Sequence, residues 1–215
     1  MKNIYTIYLC IWVVFFAACS DQDDDFTEQS DASTDTDADT DADTDADGDT
    51  DPDLSEDCHP SANNWSTEWA SLESAVFALT NTARANGATC GSYGYQPPQD
   101  AFNYDARLRC AARVHSLNMA KDNFFSHESP GGPLGDDFSE RITNASYTSW
   151  SYIGENIIAG WKYDDAAKVV DVWMNSPEHC QNIMSVDFKD LGVGCAYDDA
   201  SKYHWYCTQD FGTLE

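Results

Sequence analysis

A chain of 215 residues can hold one domain or two small ones, and a formal charge of −27, from 38 acidic against 11 basic residues, means that not all of it packs. The charge is unevenly spread: 18 of the acids lie between Asp21 and Asp57 with no Lys or Arg among them, which leaves 20 acids against 10 bases from Cys58 onward. Even that remainder would repel a phosphate backbone, so nucleic acid is excluded as a partner.

The first 19 residues read as an export leader. Lys2 gives a positive start, and an apolar run from Ile4 to Ala18, broken only by Thr6 and Cys10, is too short for a comfortable transmembrane span. The run ends Phe16-Ala17-Ala18-Cys19-Ser20, which resembles the lipobox of bacterial lipoproteins with Phe16 in place of the usual Leu. On that resemblance Cys19 is acylated and anchors the chain to a membrane. An ordinary signal peptide cut after Ala18 stands as the alternative, and both readings export the protein. Asp21 is one place beyond the position of the enterobacterial inner-membrane retention signal, so outer-membrane or surface display follows, with plain secretion as the other outcome.

Residues 20–57 read as an acidic stalk. From Asp31 to Asp53 the chain is nearly a two-letter repeat with no aromatic residue or Leu to bury, and it cannot offset its ordering entropy. The 37 residues from Asp21 to Asp57 would reach at most about 120–130 Å. Asp43, Asp45, Asp47 and Gly48 imitate the front of a calcium loop, but Leu54 stands where the closing bidentate Glu belongs, so loose cation condensation is the expectation.

The folded domain is expected over residues 58–215. Trp69, Leu72, Val76, Leu79 and Ala83 recur at helical spacing and end at Gly87. Asp105 is an N-cap candidate for a second helix with Leu108, Ala112, His115 and Met119 on one face. From Phe124 to Ser151 the pattern is irregular, interrupted by one short helix around Phe138 to Asn144, and a stretch that long usually carries function. Asp164 is read as the cap of a third main helix carrying Ala166, Val169, Val170 and Trp173 inward, with Pro177 as its stop. Strands Leu191–Tyr197 and Tyr203–Phe211 follow, joined by a polar turn, in a register that puts Cys195 opposite Cys207. Six cysteines outside the leader, Cys58, Cys90, Cys110, Cys180, Cys195 and Cys207, make three disulfides the default in an oxidising compartment; only the Cys195–Cys207 pairing is read from register. Helices flanking late antiparallel strands imply an α+β layered domain.

No Gly-x-Ser-x-Gly elbow, His-Glu-x-x-His helix or phosphate-cradling loop occurs. What remains is Phe124-Phe125-Ser126-His127, then Gly154-Glu155-Asn156-Ile157, then the run from Trp173-Met174-Asn175-Ser176-Pro177-Glu178-His179-Cys180 to Met184. With Asn81-x-x-Arg84, the segment Ala112 to Ala120, and the ending from Gly192-Val193-Gly194 to Gln209-Asp210-Phe211-Gly212, these motifs in this order resemble the CAP superfamily of cysteine-rich secretory, antigen 5 and pathogenesis-related proteins, and its bacterial secreted, SCP-like branch. The resemblance covers nearly all of residues 70–213. It implies a three-layer α-β-α sandwich with an open cleft.

The resemblance also implies that a tetrad of two His and two acidic residues lines the cleft. His127, Glu155 and His179 match three of its members, and Ser176 stands where the second Glu belongs. Two imidazoles and a carboxylate suit zinc with an open water position, and losing the second acid weakens any such site. The same side chains can instead brace the cleft through charge-assisted hydrogen bonds, or act as an acid-base group. His115, on an apolar helix face, reads as a core histidine, and Glu140 and Arg141 as a solvated helix face. Glu178 need not face the cleft. Tyr147, Trp150, Tyr152, Trp161 and Tyr163 could floor an apolar ligand groove or simply pack the core. Three functions stay open: a surface binding module for a ligand, lipid or protein partner; a metal-assisted hydrolase, such as a peptidase, using His127, Glu155 and His179; and a passive surface coat.

Overall fold

A computed structural model describes residues 58–215 and the segment Asn3–Ile4; the expected leader cleavage, lipidation at Cys19, stalk and calcium-like loop lie outside the described residues. The central sheet has the order β1-β5-β7-β6-β4. Its long strands are β5 (Trp150–Gly160), β6 (Asp190–Tyr197) and β7 (Trp205–Leu214), paired antiparallel with β7 in the middle. Two-residue strands flank them in parallel, β1 (Asn3–Ile4) on β5 and β4 (Asn103–Tyr104) on β6. A separate ribbon joins β2 (Ala88–Thr89) to β3 (Tyr95–Gln96).

Helices cover both faces, which makes the expected α-β-α sandwich. On one side lie α1 (Thr67–Asn86), α4 (Ala166–Asn175) and α5 (Pro177–Met184), whose Leu72, Val76, Val169, Trp173 and Ile183 share a core with Val193, Cys195, Cys207 and Phe211 of the sheet. On the other lie α2 (Ala106–Lys121) and α3 (Phe138–Asn144), where Leu108, Ala111, Phe138 and Ile142 pack against Ile153. Among the described residues no helix is long and apolar enough to cross a membrane.

The Gly192-Val193-Gly194 run explains how α2 reaches the sheet. A Cβ on Gly192 would lie 2.0 Å from the Arg109 nitrogen, and one on Gly194 would lie 2.1 Å from that of Arg113. The helix backbone therefore rests directly on β6, with no side-chain layer between them. Three disulfides tie the layers: Cys58–Cys110, Cys90–Cys180 and the Cys195–Cys207 pair expected from register. They close loops of 52, 90 and 12 residues. On the chain-entropy account the two long loops contribute about 4–5 kcal/mol each and the short one about 3.

Several boundaries differ from the sequence reading for physical reasons. Asp105 caps α2 as expected, accepting hydrogen bonds from Arg107 N and Leu108 N, but the cap of α4 is Asp165 rather than Asp164. Pro177 is the first residue of α5, where a missing N–H costs nothing, so it starts a helix as well as following one. Strand β5 begins inside the stretch read as irregular. Its residues Ile153–Ile158 are buried on both faces, which removes the polar-apolar alternation that marks a strand. In α1 the inner face includes Glu73, Thr80 and Arg84 beside Leu72 and Val76, because Glu73 pairs with Arg113 at 2.6 Å and Arg84 donates to Ile183 O, Ser185 O and Asp100 O.

The close approach at β6 sets one expectation. Gly194→Ala should lower stability in urea unfolding by about 3 kcal/mol, the upper end of overpacking costs; a loss below about 0.5 kcal/mol would mean that α2 does not sit on the strand.

Candidate functional site

The site is built on β5, whose successive side chains point to opposite faces of the sheet. Glu155 faces the layer of α2 and α3, and Asn156 faces α5. Glu155 Oε1 accepts from His127 Nδ1 at 2.7 Å, and Oε2 accepts from Arg141 Nη2 at 2.7 Å. Arg141 also donates to His127 O at 2.9 Å and to Ser129 Oγ at 3.0 Å, so one guanidinium holds both the carboxylate and the loop that carries the imidazole. Asn156 Nδ2 donates to His179 O at 3.2 Å and to Gln209 Oε1 at 3.1 Å, while Asn182 Nδ2 donates to Asn156 Oδ1 at 2.9 Å. The Gly-Glu-Asn motif thus fastens the His127 loop on one side of the sheet and the His179 helix on the other.

Arg141 corrects the sequence reading. Rather than lying on a solvated helix face it is 1% exposed, while its neighbour Glu140 is indeed exposed and accepts from Asp136 N. The N-cap at Asp137 turns positions 138, 141 and 142 to the same inner side of α3, and that i, i+3, i+4 pattern was the available signal. The structure adds Asp210, fully buried and directly opposite Glu155 in the β5–β7 register, to the site.

The electrostatics follow from burial and pairing. Burial alone would raise the Glu155 pKa, but the Arg141 charge, then His115 and the His127 contacts, outweigh it and hold the carboxyl down at about 2. An ionised carboxylate only accepts, so His127 Nδ1 carries the hydrogen of the 2.7 Å contact and Nε2 is the ring atom left for other partners. Burial, and after it the negative charge of Glu155, push the Asp210 pKa well above the usual carboxylate range. A neutral Asp210 can donate to Glu155; ionised, its two oxygens would have no partner among the described residues. His115 is the buried core histidine expected, driven down to about 3 by burial, and its Nε2 donates to Ser126 O at 3.0 Å.

The His127 side chain is 25% exposed, which makes it the open end of a buried chain from Arg141 and Glu155. His179 lies on α5 near enough to His127 that burial, and then the charge on that residue, lower its pKa to about 4; its Nδ1 is buried with no partner among the described residues. Ser176 sits at the junction of α4 and α5, capping neither with its side chain. Among the described residues no three His, Cys, Asp or Glu side chains form a group that could hold a metal ion. The aromatic set divides: Tyr147 and Trp150 pack in the core under α3, Tyr152 and Tyr163 are partly buried, and Trp161 is 71% exposed.

Comparison with known proteins agrees with this architecture. Residues 77–211 match the model of the cysteine-rich secretory protein family, CAP. The chain is 34% identical over 125 residues to the uncharacterized protein YkwD of Bacillus subtilis (strain 168), which covers 58% of this chain and 42% of YkwD. It is 28% identical over 135 residues to the uncharacterized membrane protein YlbC of the same organism, covering 62% and 34% respectively. The matched region therefore spans less than half the length of these curated relatives. An extracellular SCP-domain protein from Bacillus anthracis str. Ames superposes with a TM-score of 0.52 at 27% identity, covering 66% of this chain and 40% of that one. With a family match over more than half of its length, on the layered helices and sheet described above, the chain belongs to the cysteine-rich secretory protein, or CAP, family.

Proposed function

We propose that this is an exported, lipid-anchored CAP-domain protein that acts as a surface binding module and takes its ligand beside His127, without turning it over. What supports the reading is the state of Glu155. Its oxygens are engaged by His127 and Arg141, and its low pKa makes it a weak base, so its chemistry goes into holding the His127 loop and α3 in place. The leader and the lipobox-like end motivate the anchor, and the acidic stalk would hold the domain away from the membrane.

Zinc fits these residues poorly. A catalytic zinc takes three protein ligands. Here Glu155 is occupied, His127 Nδ1 is committed to it, and Ser176 replaces an acid, so the donors left are the second nitrogen of His127 and the His179 ring.

Two measurements test this. Residues 58–215, exported to an oxidising compartment, should hold less than stoichiometric zinc and show no peptidase turnover above the His127→Ala, His179→Ala double variant. One zinc per chain with activity lost in that variant would make the protein a hydrolase. Stability against pH tests the electrostatics. Between pH 6.5 and about 4 the unfolded chain binds a proton at His179 that the folded chain refuses, so stability falls as pH drops. Asp210 acts in the opposite sense, because the fold keeps a proton that the unfolded chain releases above pH 3.8. His179→Gln should therefore flatten the rise of stability with pH in this window, and Asp210→Asn should steepen it, each by up to about 1.4 kcal/mol per pH unit. Unfolding midpoints whose pH slopes match wild type in both variants would contradict the assignment.

A further inference from the structure

A hollow lies at the far end of β5, five residues beyond Glu155, or roughly 16 Å at about 3.3 Å per residue. It is an open depression of about 340 Å³ lined by Trp161, Lys162, Tyr163, Lys168, Asp171 and Val172. That is within the range of about 300–1,000 Å³ typical of small-ligand sites. Gly160 forms part of its wall, and a Cβ there would come within 2.6 Å of the Tyr163 ring. Tyr163 can thus fold against the strand only because residue 160 has no side chain.

The exposed tryptophan is held in place. Its ring stacks on His204 at 5.2 Å between centroids and 5° between planes, and its Nε1 donates to Lys202 O at 3.1 Å. His204 is itself fixed: Tyr197 meets it edge-on at 5.8 Å, Asp198 N donates to its carbonyl at 2.9 Å, and its φ of 65° puts a non-glycine residue in the left-handed region. Such a conformation is unfavourable for a residue with a Cβ and persists only where its surroundings impose it. With one face backed by His204 and the residue still 71% exposed, the indole presents its opposite face to solvent. A ring already immobilised loses little further freedom when a ligand covers it.

The rim of the hollow identifies the ligand class. Lys162 and Lys168 supply donors and Asp171 an acceptor, and Asp165 lies 3.4 Å from Lys168. Two positive charges against two negative ones, in a domain with twice as many acids as bases, do not select an anion. Balanced donors and acceptors around a flat aromatic face instead match a neutral molecule with an apolar C–H face and a ring of hydroxyls, since the negative face of the indole attracts polarised C–H groups and each hydroxyl both donates and accepts. We propose that this hollow binds a neutral hexopyranose unit of a glycan, stacked on Trp161 and hydrogen-bonded by Lys162, Lys168 and Asp171. The site shares no residue with the His127, Glu155 and Arg141 cluster.

The test is titration of the 15N-labelled domain with cellohexaose, chitohexaose and mannohexaose, followed at the Trp161 indole N–H, which is assigned by its loss in Trp161→Phe. At least one saccharide should shift that signal saturably. Its affinity, followed in the variants at the backbone amides of residues 160–172, should fall at least tenfold in Trp161→Ala and in Asp171→Ala, both at solvent-exposed positions, and should be unchanged in His127→Ala. Gly160→Ala, which displaces Tyr163, should weaken binding as well. No saturable shift with any of the three sugars, binding that survives Trp161→Ala, or a response confined to anionic phosphatidylglycerol vesicles would each overturn the proposal.

Discussion

A carboxylate buried in the middle of a sheet is the constraint around which this domain is arranged. Removing a charge from water costs several kcal/mol even after relaxation, and only a partner with good geometry and further hydrogen bonds returns it. At Glu155 that partner is Arg141, equally buried, with His127 on the other oxygen. Because Arg141 also binds the His127 carbonyl and Ser129, the charge pair fixes the course of the loop between α2 and α3. Asp210 across the strand gives way by staying protonated, since two carboxylates at that depth cannot both ionise.

The rest of the frame makes that burial tolerable. Strand β5 sends Glu155 to one layer and Asn156 to the other, and Asn156 is satisfied in turn by Gln209, Asn182 and the His179 carbonyl. The same habit recurs away from the site. Glu73 receives Arg113, the Trp65 indole and Cys195 N, and Arg84 satisfies three carbonyls while lying 3.8 Å over the Phe102 ring. Buried polar groups here are placed in networks that join elements far apart in sequence, and such networks specify one arrangement of layers.

Much of this was legible in the chain itself. Helical periodicity gave α1 and α2, the Asp105 cap held, and the short helix at 138–144 and the Cys195–Cys207 pairing fell where the patterns put them. The contact between His127 and Glu155 followed from motifs shared with a family. Strand β5 was hidden because both its faces are buried, and α5 because a proline that may not continue one helix is free to begin the next. Arg141 was misread since charge alone suggests solvent, and nothing local to residue 141 announces a carboxylate fourteen residues away. The aromatic cluster could not be divided by sequence, as Tyr147 and Trp161 differ only in what the fold lays against them.

The binding-module reading rests on Glu155 being an ionised, occupied brace rather than a base waiting for a substrate. Carbon-13 NMR of the side-chain carboxyls, with Glu155 and Asp210 assigned through Glu155→Gln and Asp210→Asn, reads this directly. Glu155 should stay ionised from pH 7 down to pH 3, and Asp210 should keep its proton well above the usual carboxylate range. A Glu155 carboxyl that titrates near its ordinary 4.5, or an Asp210 that titrates at its ordinary 3.8, would show that the buried charge is not held by Arg141 as described.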